Sequence, residues 1–144
     1  MKSLTAANAV ITLSITGLYP SPVQLQGFSA DNIYDNPAVD ATETAMGVDG
    51  ILSGGMVFNP IDQTFSLQAD SESNTIFETW VQAQYTQKDV FIANCNTRLP
   101  ALQRVYVATR GFLVNLPRMP TANRILQPRR YTIRWQRVTS TPQG

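Results

Sequence analysis

From Ala9 to Thr16 apolar and polar residues alternate: Ala9, Ile11, Leu13 and Ile15 fall on one face, Val10, Thr12, Ser14 and Thr16 on the other. A period of two is that of a strand with one buried face, so a β-strand is expected here. Pro20 and Pro22 flank a turn, after which Val23 and Leu25 alternate with Gln24 and Gln26 toward Gly27. This predicts a second strand, antiparallel to the first. Ile51 to Phe58 and Gln63 to Ala69 are apolar runs joined by Asn59-Pro60-Ile61-Asp62, where the fixed φ of proline suits a turn, and they are expected to form a β-hairpin.

The period then changes. Ile76, Phe77, Trp80, Val81 and Tyr85 recur at spacings of one, three and four, with Glu78, Thr79, Gln82 and Gln84 outside the stripe. Asp70-Ser71-Glu72-Ser73 supplies N-cap candidates and acids at the positive end of the dipole, so a helix over about 73–86 is expected to pack on the sheet. Val90 to Cys95, Arg104 to Val114 and Arg129 to Val138 read as three more strands, separated by Pro100 and by Pro117-Arg118-Met119-Pro120. The expected fold is mainly β, an antiparallel β-sandwich or barrel-like subunit of about seven strands with one flanking α-helix.

One stretch fits neither period. Residues 29–50 are acidic and weakly apolar, running through Asp31, Asp35, Asp40 and Glu43 to Met46-Gly47-Val48-Asp49-Gly50. A loop of that length in a compact domain is uncommon and usually functional.

Composition narrows the chemistry. At 144 residues a single domain covering 1–144 is expected, large enough to fold without disulfide or metal. The chain has no histidine and one cysteine, so imidazole-based nucleophile systems and a cysteine-built metal site are excluded. One cysteine suits cytosolic synthesis, and the N-terminal apolar stretch is too broken by Asn8, Thr12, Ser14 and Thr16 for a signal peptide. A soluble protein with no membrane partner and no cofactor is expected.

The formal net charge of +1 conceals a division. Residues 1–89 hold all ten acids and two lysines, a net of −8, whereas residues 90–144 hold nine arginines and no acid, a net of +9. A near-neutral total made this way suits a chain whose main partner is another copy of itself.

Each candidate motif has a plain structural alternative. Gly47-Val48-Asp49-Gly50 and Gly54-Gly55 lack the Gly-Lys-Ser/Thr of a phosphate loop and are better read as turn and bulge glycines. The acid pairs Asp31/Asp35 and Asp40/Glu43 lack the regular spacing of a calcium loop and suit a solvated loop or a subunit contact. Arg124, Arg129, Arg130, Arg134 and Arg137, interleaved with Tyr131 and Trp135, could form a single-stranded nucleic-acid platform. The competing expectation puts both aromatics in the core and pairs the arginines with carboxylates across strands or subunits, as arginine's planar fork favours. Cys95 is expected to be a structural thiol.

The ordered set of an N-terminal strand pair, a long acidic loop, the Met46-Gly47-Val48-Asp49-Gly50 turn, the strand Gln63-Thr64-Phe65-Ser66-Leu67-Gln68 and Ser71-Glu72-Ser73-Asn74 opening a helix resembles the tail tube proteins of contractile-tailed bacteriophages. The likeness runs from about residue 9 to residue 138, and departs from the family at the apolar Gly54-Gly55-Met56-Val57-Phe58. It implies a non-enzymatic virion protein, made in the host cytoplasm, whose homo-hexameric rings stack head to tail into a tube. The implied partners are the tail sheath outside, the tape measure protein and passing DNA in the lumen, and the baseplate and tail terminator at the ends. No sequence-specific nucleic acid is implied. Strands of adjacent subunits would join in one inner barrel, with a lumen neutral to negative. The expected subunit-interface residues are Asp31, Asp35, Asp40, Glu43, Met46, Val48 and Asp49 on the acidic side, and Arg124, Arg129 and Arg130 on the basic side.

Overall fold

The computed structural model describes residues 9–29, 33–117, 119 and 121–142. Within them the chain order is β1 (Val10–Ile15), β2 (Tyr19–Gln24), β3 (Tyr34–Asp35), β4 (Thr42–Met46), β5 (Leu52–Met56), β6 (Ile61–Leu67), α1 (Asn74–Gln87), β7 (Ala93–Leu99), β8 (Arg104–Asn115) and β9 (Arg129–Pro142). Seven strands form one antiparallel sheet in the order β2-β1-β7-β8-β9-β6-β3, and β4 and β5 form a separate two-stranded ribbon. The fold is mainly β with one flanking helix, as the periodicities require. Strands β2 and β3 are open edges, so the described residues form no closed barrel.

The alternation seen in β1 has the expected result: Ile11, Leu13 and Ile15 are fully buried. Register carries the same face across the sheet, because Leu13 lies opposite Cys95, Cys95 opposite Ala108, and Ile133 opposite both Leu113 and Gln63. Helix α1 closes part of that face. Phe77 stacks on Tyr131 with ring centroids 4.1 Å apart, and Trp80 is fully buried beside it. Tyr85, counted in the apolar stripe, is instead 74% exposed, and the buried residues of the helix, Asn74, Phe77 and Trp80, all lie in its first half.

Ser71 and Ser73 do not cap the helix. Ser73 Oγ accepts from the Gln26 amide at 2.8 Å, and Ser71 Oγ donates to the Gln26 carbonyl. The serines therefore tie the helix entrance to the β2–β3 connection. Gly27, with φ +73°, permits this approach, since a Cβ there would lie 2.5 Å from Ser71 Oγ.

β1 and β2 pair antiparallel as expected, while the place of their turn and one expected hairpin are corrected. The first turn lies at Gly17-Leu18 rather than at the prolines; Pro20 and Pro22 sit within edge strand β2, where missing donors cost little. The hairpin partner of Ile51–Phe58 is not the run after Asn59-Pro60. Strand β5 pairs with β4 through the Gly47-Val48-Asp49-Gly50 turn, and β6 pairs with β9 and β3. Segment 29–50 thus includes β3 and the outgoing half of a ribbon. The expected strand at Val90 begins only at Ala93 and runs on to Leu99.

Candidate subunit interface

The β4–β5 ribbon projects as an arm. Its tip is closed by the Gly47 amide on the Ile51 carbonyl at 2.9 Å and by the Ile51 amide on Asp49 Oδ1 at 3.1 Å. Its foot is held by Asn59 Nδ2 donating to the Asp40 carbonyl at 2.7 Å. Every residue of β4 and β5 is exposed, Met46, Ile51, Leu52, Met56 and Phe58 among the exposed apolar side chains of the arm, Phe58 by 90%. An isolated two-stranded hairpin is marginally stable in water, and a contiguous apolar patch marks a contact surface. No side chain of the arm is packed in the core.

The expected interface residues separate into groups. Asp40, Glu43, Met46, Val48 and Asp49 lie on the arm or at its foot, all exposed, with Asp49 also fixing the tip. Asp31 lies outside the described residues. Asp35 takes an ion pair from Arg130 across β6 at 2.6 Å, each about half exposed. Arg129 is corrected from an interface residue to an internal one. Its side chain is 3% exposed, donates to Glu78 of α1 at 2.6 Å and to the Pro117 carbonyl at 3.0 Å, and faces the Tyr131 ring. Arg124 is exposed in the 116–128 loop between β8 and β9. A third pair, Arg134 with Asp62, uses two bonds of 2.8 and 3.3 Å, which raise the guanidinium's pKa. Three arginines of the basic half are therefore paired with acids of the acidic half inside one chain.

Residues that the pattern missed are Ile51, Leu52, Met56 and Phe58 on the arm, and Met119, Ile125 and Leu126 in the 116–128 loop, all exposed. The signal for the first group was the apolar run with Gly54-Gly55, which has the composition of a core strand but no neighbour to bury it. Arm and loop lie at opposite ends of β6. Strand β6 has Ile61, next to the arm, opposite Trp135, and Leu67 opposite Arg129, where the loop ends.

At the arm end the inner sheet face is left uncovered by α1. There a cavity of about 390 Å³ is lined by Tyr34, Val39, Ile61, Leu99, Tyr106 and Val138, with Gln63 and Thr97 among its polar members. Among the described residues no group of three or more Cys, Asp or Glu side chains is placed to hold a metal ion. Among the described residues no helix is long and apolar enough to cross a membrane. Cys95 is buried beside Thr97, and burial pushes its thiol up to about 12, far from a reactive thiolate.

The alternative of a nucleic-acid platform on β9 is corrected by burial. Tyr131 and Trp135 have no exposed surface; the Tyr131 hydroxyl donates to Asn74 Oδ1 at 2.8 Å and the Trp135 indole to Gln63 Oε1 at 3.1 Å. Neither ring can stack on a base.

Against this geometry, the sequence profile of a family described as Tail fiber protein gp32 matches residues 2–139. The chain belongs to the Tail fiber protein gp32 family. The gp32 family description names a tail fibre, whereas the sequence motifs resembled tail tube proteins; both are tail components. No curated protein sequence matches the chain significantly. Among solved structures, a chain of the cryo-EM structure of the anti-feeding prophage cap, its tube terminating cap, is similar at 14% identity and a TM-score of 0.59, over 99% of this chain and 93% of that one. A chain from the PVC sheath/tube terminator of an extracellular contractile injection system in its extended state is similar at 11% identity and a TM-score of 0.62, over 98% of both chains. A chain from the anti-feeding prophage baseplate gives 8% identity and a TM-score of 0.61, over 100% of this chain and 99% of that one. At these identities the gp32-family chain shares a fold with them.

Proposed function

We propose that this gp32-family chain is a structural, non-enzymatic subunit of a contractile tail, a single-domain protein that assembles with copies of itself at the tube or at its end. The observation that carries this is the projecting β4–β5 arm, whose apolar side chains Met46, Ile51, Leu52, Met56 and Phe58 are exposed in the lone chain. Covering such a surface needs a protein partner. The fold shared with tube-terminator, cap and baseplate-associated chains supports a place in or beside the tube. Homo-hexameric rings stacked head to tail are the finer proposal, with the sheath outside and the tape measure protein and DNA in the lumen.

The solvent face of the large sheet fits a water-filled lumen. Thr12, Ser14, Asn94, Asn96, Thr132 and Gln136 lie on it, and Arg130 and Arg134 are held by Asp35 and Asp62. Pairing two of the arginines on this face, with Arg98 the exception, lowers its net positive charge and so its grip on DNA. Negative-stain images of the purified protein test the proposal: rings or tubes are expected. A monomer at every concentration would refute it.

A further inference from the structure

We infer that the cavity at the arm end and the 116–128 loop at the other end are two halves of one contact between copies. The loop of one copy seats Ile125 and Leu126 in the cavity of the next, head to tail, with Arg124 against the acids of the arm. This rests on the proposed self-assembly and adds the cavity and the loop to the arm as parts of the one contact that performs it.

Three observations converge. The two surfaces lie at opposite ends of β6, so one copy can offer its loop end to a neighbour while receiving another at its arm end. Both are apolar and unfilled: Ile125 is 74% and Leu126 55% exposed, and the cavity of about 390 Å³ is walled by Val39, Leu99, Tyr106 and Val138. A cavity of that size falls in the roughly 300–1,000 Å³ range of sites that enclose a compact apolar group.

The charges choose the partner. Between residues 36 and 60 the chain carries Asp40, Glu43 and Asp49 and no cation; between 116 and 128 it carries Arg118 and Arg124 and no acid. Asp40 follows Val39, a cavity wall, so an acid sits at the rim where Arg124 would arrive. Either end placed against its own copy would bring like charges together. A two-fold contact is thereby disfavoured, and a heterologous one, which propagates into rings or filaments, is favoured.

The test is a mixing experiment on the full chain, read by sedimentation velocity. Val39→Asp blocks the cavity end and Ile125→Asp the loop end; both positions are at the surface, and melting curves check that each variant folds. Each variant alone is expected to stop at the monomer, while an equimolar mixture forms a dimer through the one intact pair of surfaces. As a second measurement, Val39→Cys mixed with Ile125→Cys should give an oxidised cross-linked dimer, Cys95 being buried. Arg124→Glu should raise the concentration for half-assembly at least tenfold, and Asp40→Arg on the neighbour should restore it. Variants that assemble like the unaltered chain, or a mixture that stays monomeric, would overturn this contact while leaving self-assembly standing. An unaltered chain that never assembles would remove both.

Discussion

Arg129 and Arg130 are adjacent in sequence, yet one is enclosed and the other lies open, because alternate residues of β9 face opposite sides of the sheet. Their ion pairs therefore differ in weight. Glu78→Gln leaves a buried guanidinium with a weaker acceptor and is expected to cost up to about 1.5–3 kcal/mol, the range for hydrogen bonds to charged groups. Arg130→Ala breaks a pair that water already screens, and should cost less than about 1 kcal/mol. Urea titrations of both variants measure the contrast. Gly111 is fixed by packing: a Cβ there would lie 2.2 Å from Trp135 Cε3, so Gly111→Ala is expected to destabilise by about 3 kcal/mol through overpacking. Two buried protons, with that of Tyr34 beside them, lower stability at alkaline pH. Burial pushes Cys95 from 9.0 up to about 12 and Tyr131 from 10.0 up to about 12. Both groups stay protonated in the folded chain after the unfolded chain has lost those protons, so their contribution is whole below pH 9 and is lost as pH rises toward 12. Melting temperatures should fall across that window, and Tyr131→Phe with Cys95→Ala should flatten the decline.

The elements divide between those that hold the subunit together and one that does not. Strands β1, β6, β7, β8 and β9 with α1 share the core, whereas β4 and β5 contribute nothing to it. Replacing Leu52 and Met56 by serine is thus expected to change monomer stability by less than about 0.5 kcal/mol each, as for surface positions, while abolishing assembly. Denaturation and sedimentation on the same samples separate the two effects. Covering five such side chains is worth on the order of 10 kcal/mol at about 1.5–3 kcal/mol each. Association costs about 4–15 kcal/mol, so one arm contact is marginal and a closed ring, with two contacts per subunit, is much firmer. The arm also shows where periodicity fails. Leu52-Ser53-Gly54-Gly55-Met56 has the residues of a strand and is one, but strand formation does not require burial.

For the whole molecule, the charge division of −8 and +9 is partly spent inside the chain, since three arginines pair with Glu78, Asp35 and Asp62. What remains at the ends is an acidic arm and a basic loop. Assembly driven in part by these ends should weaken with salt, because exposed charges are screened beyond a Debye length of about 8 Å at physiological ionic strength. Light scattering from 50 mM to 500 mM salt measures this, and insensitivity would assign the contact to apolar burial alone.

The sequence by itself determined the buried faces of β1, β6 and β9, the helix and the separation of charge, and favoured the core for Tyr131 and Trp135, because these follow from residue type and local period. It also marked Met46-Gly47-Val48-Asp49-Gly50 as a turn. The tertiary structure decided which strand that turn pairs, that Arg129 points inward, and that arm and loop occupy opposite ends of β6. Those outcomes depend on contacts between residues far apart in the chain, such as Ile61 with Trp135 and Glu78 with Arg129, which no local pattern encodes.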